Sequence, residues 1–109
     1  MTGAFAEVVL AARTARATVD PAHARLLCEG HFPGDPLVPG AYLAGLMADL
    51  GARLVQAEPV EVVRCAFLAP VRPGQPIEVR ASAGDGRVDA EVWAGGTCAA
   101  RAQLRFATR

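Results

Sequence analysis

The chain has 109 residues, 52% of them hydrophobic and 20% charged, and its eleven basic residues balance eleven acidic ones. That length suits one domain with a single core, and so apolar a composition excludes a disordered chain. The even charge balance argues against a general nucleic-acid or anionic-membrane binder, which would carry a basic excess.

From about Phe5 to Val19 the chain is rich in Val, Ala and Thr, and "RTARATV" alternates, which predicts one or two strands. Asp20-Pro21 signals a turn, and "ARLLCEG" (24–30) reads as a short extended piece leading into a loop from Gly30 to Gly40. The clearest helix follows, Ala41 to Gln56: Leu43, Leu46, Met47, Leu50 and Leu54 fall on one face at helical spacing. Its other side holds Ala41, Ala44, Gly45, Ala48 and Ala52, so close packing is expected on both faces.

The second half reads as strands. Glu61 to Leu68 comes first, then a turn at "PVRPGQ", then "PIEVRAS" with Ile77, Val79 and Ala81 on one face. Gly84-Asp85-Gly86 turns into "RVDAEVWA", where Val88, Ala90 and Val92 alternate with Asp89, Glu91 and Trp93. Gly95-Gly96 turns again into "TCAARAQLRFA", with Cys98, Ala100, Ala102, Leu104 and Phe106 facing inward. One long helix among antiparallel strands predicts an α+β fold in which a curved sheet wraps a central helix. No repeat or linker divides the chain, so residues 1–109 are read as one domain.

Cys28, Cys65 and Cys98 are widely spaced, odd in number and without a CxxC pair, so neither a disulfide framework nor a zinc site is expected. Each reads as a small apolar packing residue in a reducing, cytoplasmic setting. The N-terminal "MTGAFAEVVLAAR" lacks the basic start of a signal peptide, and no window approaches the roughly eighteen apolar residues of a membrane span. No GxGxxG, Walker loop or HExxH occurs, and neither a metal nor an organic cofactor is expected.

The densest chemistry lies in "HFPGDPLVPG", residues 31–40. Pro33, Pro36 and Pro39 fix φ and remove donors, so the loop is stiff without regular hydrogen bonding. Gly40 stands at the helix start, where its N–H and the positive end of the dipole suit a carbonyl oxygen gaining charge. His31, earlier on the same loop, can face that oxygen from the other side. A base and an oxyanion donor are the equipment for removing a proton beside a thioester carbonyl.

This stretch resembles the hot-dog-fold 3-hydroxyacyl-[acyl carrier protein] dehydratases, whose signature is H-F-x-G-x-P-x-x-P-G followed at once by the long central helix. His31, Phe32, Gly34, Pro36, Pro39 and Gly40 all match, Pro33 and Asp35 match common variants, and "RCAFLAPVRPGQPIEV" resembles the family's strand-turn-strand. The resemblance implies a hot-dog fold and a dimer, with acyl carrier protein or coenzyme A thioesters as substrates. It implies His31 as the base, Gly40 as the carbonyl polariser and the Leu37 carbonyl as the group that orients His31, with Phe32 and Pro33 beside the substrate. It also implies a carboxylic acid five residues after Gly40, contributed across the dimer, and that position is Gly45.

The acid is therefore missing from its expected place. Asp49 lies one turn on, about 6 Å along the axis, and either supplies a displaced acid or simply pairs with Arg53 at i+4. Tyr42 lies on the same side and either donates a proton, shapes the acyl tunnel or packs. Glu29 and Asp35 read as turn carboxylates, His23 as a surface residue and Trp93 as strand packing. Three readings follow. The chain is a dehydratase using His31 with Asp49 or with an acid from a homologous hot-dog partner, a thioesterase on the same fold, or a non-catalytic acyl-binding subunit.

Overall fold

The computed structural model describes residues 3–28, 38–72 and 74–107. The chain runs β1 (Phe5–Leu10), β2 (Thr14–Val19), α1 (Pro21–Cys28), α2 (Gly40–Val55), β3 (Pro59–Phe67), β4 (Ile77–Ala83), β5 (Arg87–Ala94) and β6 (Thr97–Phe106). All six strands form one antiparallel sheet in the order β1-β2-β4-β5-β6-β3, curved about the single long helix α2. The expected α+β architecture is the observed one.

The alternation read from the sequence is what seats α2. Cross-strand partners share a face of a sheet, and the row Ala17, Val79, Val92, Ala100 and Phe67 crosses β2, β4, β5, β6 and β3 in register. The next row, Ala15, Ala81, Ala90, Ala102 and Cys65, is almost all alanine. Small residues there let the helix approach closely, and Leu43, Leu46, Met47 and Leu50 fill the space above them, all buried. Gly51 completes the fit, because a methyl there would meet Phe106 Cζ at 3.0 Å.

The turns follow their glycines. Gly95 and Gly96 have φ of 57° and 87°, the paired positive values of a two-residue hairpin that side chains with a Cβ resist. At the C-terminus of α2, Gln56 adopts the left-handed conformation and its N–H returns to the Ala52 carbonyl.

Two expectations need correction. "ARLLCEG" is not extended: residues up to Cys28 belong to α1. Asp20 caps that helix, its Oδ1 accepting from the Ala22 N–H at 3.0 Å, and Pro21 opens it with the φ a first turn requires. The turn signal Asp-Pro was a helix start. The small-residue side of α2 is the second: Gly45 and Ala41 are exposed and Ala44, Ala48 and Asp49 only half-buried among the described residues. A single sheet covers one side of a helix, and the described chain has no second layer.

Cys65 and Cys98 are free thiols, half-buried. Burial pushes the Cys65 thiol up from its ordinary value. No helix of the described residues is long and apolar enough to cross a membrane.

Met47 is fully buried in the middle of the α2 seat. Met47→Ala should lower unfolding free energy by about 2–5 kcal/mol in urea titration. A loss below about 1 kcal/mol would mean that this face of α2 does not anchor the core.

Candidate active site

The N-terminus of α2 is held against the end of β3 by three local contacts. Val92 of β5 pairs with Ala100 of β6, but the following Trp93 pairs with Cys98, so Ala99 is an extra residue in β6. Its carbonyl accepts from the N–H groups of Leu68 at 2.7 Å and Ala69 at 3.2 Å, which turns the chain out of β3. Val71 then accepts from the Val38 N–H at 2.7 Å, which fixes the backbone two residues before α2.

Phe67 completes the seat. It ends β3 on the inner face, and its ring lies against Gly40: a methyl there would stand 3.1 Å from Cζ and 3.2 Å from Cε1. Glycine lets the ring lie this close to the helix start, where a methyl would press the ring back by a few tenths of an ångström. The N–H groups of Tyr42 and Leu43 return to the Pro39 carbonyl at 3.0 and 3.2 Å. Those of Gly40 and Ala41 precede every helical acceptor and point out of the helix with the positive end of its dipole.

Beside this terminus runs an open groove of about 420 Å³ lined by Val38, Gly40, Leu43, Phe67, Leu68, Ala69, Pro70 and Val71. Apart from the backbone its walls are apolar. A helix N-terminus beside an apolar groove is an arrangement that can take a carbonyl carrying an aliphatic chain.

Of the residues singled out in the sequence, His31, Phe32, Pro33 and Leu37 lie outside the described residues. Gly40 is the first residue of α2. Tyr42 is half-buried, and its hydroxyl lies 2.8 Å from His23 Nδ1 with the two rings stacked at 5.6 Å. His23 is thus not the plain surface residue expected of it, because α1 carries it onto α2. Gly45 is exposed, with nothing within 4 Å of where a Cβ would stand. Asp49 accepts from Arg53 Nε at 3.0 Å, and the Arg53 guanidinium also lies over the Phe5 ring at 5.2 Å.

Sequence reasoning missed His23, Phe67 and Ala99. The Asp-Pro helix start would have revealed the first. A bulge in β6 and the partner of Phe67 depend on pairings far apart in sequence and leave no local signal. Among the described residues no three His, Cys, Asp or Glu side chains converge to hold a metal ion.

A six-stranded antiparallel sheet wrapped about one long helix is the hot-dog fold, and solved structures of that kind superpose on this chain. One is the dehydratase heterocomplex ApeI:P from Xenorhabdus doucetiae, with a TM-score of 0.79 at 16% identity over 99% of this chain and 100% of that one. Another is thioesterase superfamily member2 from Mus musculus, with a TM-score of 0.71 at 13% identity over 92% of this chain and 80% of that one. At these identities the likeness is one of fold.

The family is given by sequence. Residues 9–100 match the ApeI-like family, described as ApeI dehydratase, and the chain belongs to it. A curated relative, the 3-hydroxyacyl-[acyl-carrier-protein] dehydratase FabZ from Jannaschia sp. (strain CCS1), is 32% identical over 76 residues. That match takes in 60% of this chain and 47% of the relative, so the chain spans about half of that protein's length.

The half-exposed Asp49–Arg53 pair carries little stability, about 0.3–0.5 kcal/mol for such an i,i+4 contact. Asp49→Ala should therefore leave the thermal midpoint within a few degrees of wild type. A drop above about 1.5 kcal/mol in chemical denaturation would show that Asp49 is held by more than Arg53.

Proposed function

We propose that this chain is a dehydratase-type hot-dog subunit acting on 3-hydroxyacyl thioesters, borne by acyl carrier protein or coenzyme A, in fatty-acid or polyketide-type synthesis. The observation that carries the reading is the Gly40 N–H opening beside an apolar groove, in a chain of the ApeI-like dehydratase family. In this reading the Gly40 N–H polarises the thioester carbonyl, and His31 removes the C2 proton that the polarised carbonyl has made acidic. The Leu37 carbonyl orients His31, and Phe32, Pro33 and Tyr42 border the substrate. The hydrocarbon chain lies along Leu43, Phe67 and Val71, where burial of each CH₂ contributes about 0.8 kcal/mol.

The missing carboxylate bears on the partner. Asp49 is tied to Arg53, and Gly45 offers space and no acid. Both support a site completed by a second hot-dog subunit, either another copy or an acid-bearing homologue, and a neighbour of the same fold is described as a heterocomplex. The edge strand β3 suits such pairing, since Val62 and Val63 are exposed along it. We place the chain in the cytoplasm, where carrier-bound intermediates of this kind are made. The same base and N–H would instead position water for hydrolysis if the bound chain lacked a 3-hydroxyl group, and a fold neighbour is a thioesterase superfamily member.

The test is turnover of a 3-hydroxyacyl carrier-protein thioester by the chain alone and mixed with an acid-bearing hot-dog homologue. Alone it should be slow, about 10²–10⁴-fold below the mixture, as expected for a missing carboxylic acid. His31→Ala should abolish turnover in both samples. A wild type inert in both overturns the dehydratase reading, and turnover undiminished by Asp49→Asn removes Asp49 from the site.

A further inference from the structure

On the outer face of the sheet, β4, β5, β6 and β3 line a basin of about 330 Å³ whose polar side chains are Arg64, Arg80, Asp89, Glu91, Arg101 and Gln103. It lies on the side away from α2: Arg80 stands between Val79 and Ala81, Asp89 between Val88 and Ala90, and Arg101 between Ala100 and Ala102, all six of these neighbours buried. Cross-strand register fixes the arrangement. Glu91 pairs with Arg80 on one side and Arg101 on the other, and Gln103 stands between Asp89 and Arg64. Arg101 is therefore a diagonal neighbour of both Arg64 and Asp89, about 7–8 Å from each and within reach of long side chains.

The charges of this basin do not satisfy one another. Arg80 is committed to Glu78, outside the basin, at 2.7 Å, and its guanidinium covers the Trp93 ring at 4.6 Å. Glu91 is drawn to the same ring, its Oε1 accepting from Trp93 Nε1 at 3.1 Å. Arg101 thus faces Glu91 across the strands without an ion pair to it. Arg64, Arg101 and Asp89 have no ion-pair partner among the described residues. Neighbouring guanidinium groups repel each other, and an oxyanion between them removes that repulsion. The guanidinium fork matches phosphate oxygens, and Gln103, opposite Arg64, offers an amide donor to the same anion. Asp89 opposes a bare anion but can accept from a hydroxyl group beside it.

We propose that this basin binds a phosphate ester that carries a hydroxyl group close to its phosphate. Arg64, Arg101 and Gln103 take the phosphate, and Asp89 accepts from the hydroxyl. No bond is made or broken there. The site lies on the face of the sheet opposite α2, so it does not rest on the dehydratase reading. Two sources share this chemistry: the phosphopantetheine arm that bears acyl thioesters, and a nucleotide.

The experiment titrates the full chain with phosphopantetheine, adenosine monophosphate and inorganic phosphate by isothermal calorimetry, with pantetheine and adenosine as phosphate-free controls. It compares wild type, Arg64→Gln, Arg101→Gln and Asp89→Ala, each checked for an unchanged thermal midpoint. At least one ester should bind saturably and more tightly than inorganic phosphate, the tighter ester naming the source, and neither control should bind. Arg64→Gln and Arg101→Gln should each weaken that ester about tenfold or more, the effect of losing a hydrogen bond to a charged group. Asp89→Ala should weaken the ester yet tighten inorganic phosphate, since it removes a hydroxyl acceptor and a repelling charge together. Absence of saturable ester binding overturns the proposal, as does an ester affinity that both arginine variants leave unchanged or that a phosphate-free control equals. An Asp89→Ala chain that binds the ester more tightly overturns the hydroxyl contact, and with it a site specific for esters. No turnover enters the measurement, so its failure leaves the dehydratase reading standing.

Discussion

The placement of the helix start depends on one misaligned carbonyl. Had β6 paired with β5 without interruption, Ala99 would point its C=O along the ladder and β3 would run on past Phe67. The extra residue instead turns that carbonyl to two successive N–H groups, Leu68 and Ala69, and ends the strand. Each such bond contributes about 0.5–1.5 kcal/mol net, but the geometric consequence is the larger one. It leaves Phe67 as the last inward side chain of β3, under Gly40, and it sets Val71 where its carbonyl meets the Val38 N–H. Val38, two residues before α2, is thus tied to the sheet at one fixed point, and the helix start lies beside the groove.

Local chemistry explains why most of the architecture was legible in the sequence. The alternation of Ile77, Val79 and Ala81 and of Val88, Ala90 and Val92 is a direct print of burial on one sheet face, and all six are buried. The leucines of α2 carry helical periodicity equally plainly, and the glycines at 95 and 96 mark the one turn geometry that needs them. α1 was misread because Asp-Pro serves equally as a turn and as a cap followed by a first helical residue. Eight residues are too few for periodicity to decide between them.

The candidate site divides along the same line. Gly40 was legible because proline and glycine at a helix start have a local meaning. Its neighbour Phe67 was not, being 27 residues away and brought in by a pairing of β3 with β6. The contact between His23 and Tyr42 was hidden for a related reason, since the sequence reading gave His23 no helix from which to reach α2.

The three glycines of α2 carry the last step. Each costs about 0.5–1 kcal/mol relative to alanine inside a helix. Gly40 and Gly51 are repaid by phenyl rings at 3.1 and 3.0 Å, contacts that a methyl would disrupt. Gly45 meets nothing within 4 Å among the described residues, so the described chain offers no steric reason for it. It stands in the middle of the face that the sheet leaves uncovered, between Ala41, Ala44 and Ala48. A Cβ there would stand in open space as far as the described residues are concerned. The absence of an acid at this position is therefore no concession to the fold of the single chain, and its consequences fall on whatever lies against the open face of the helix.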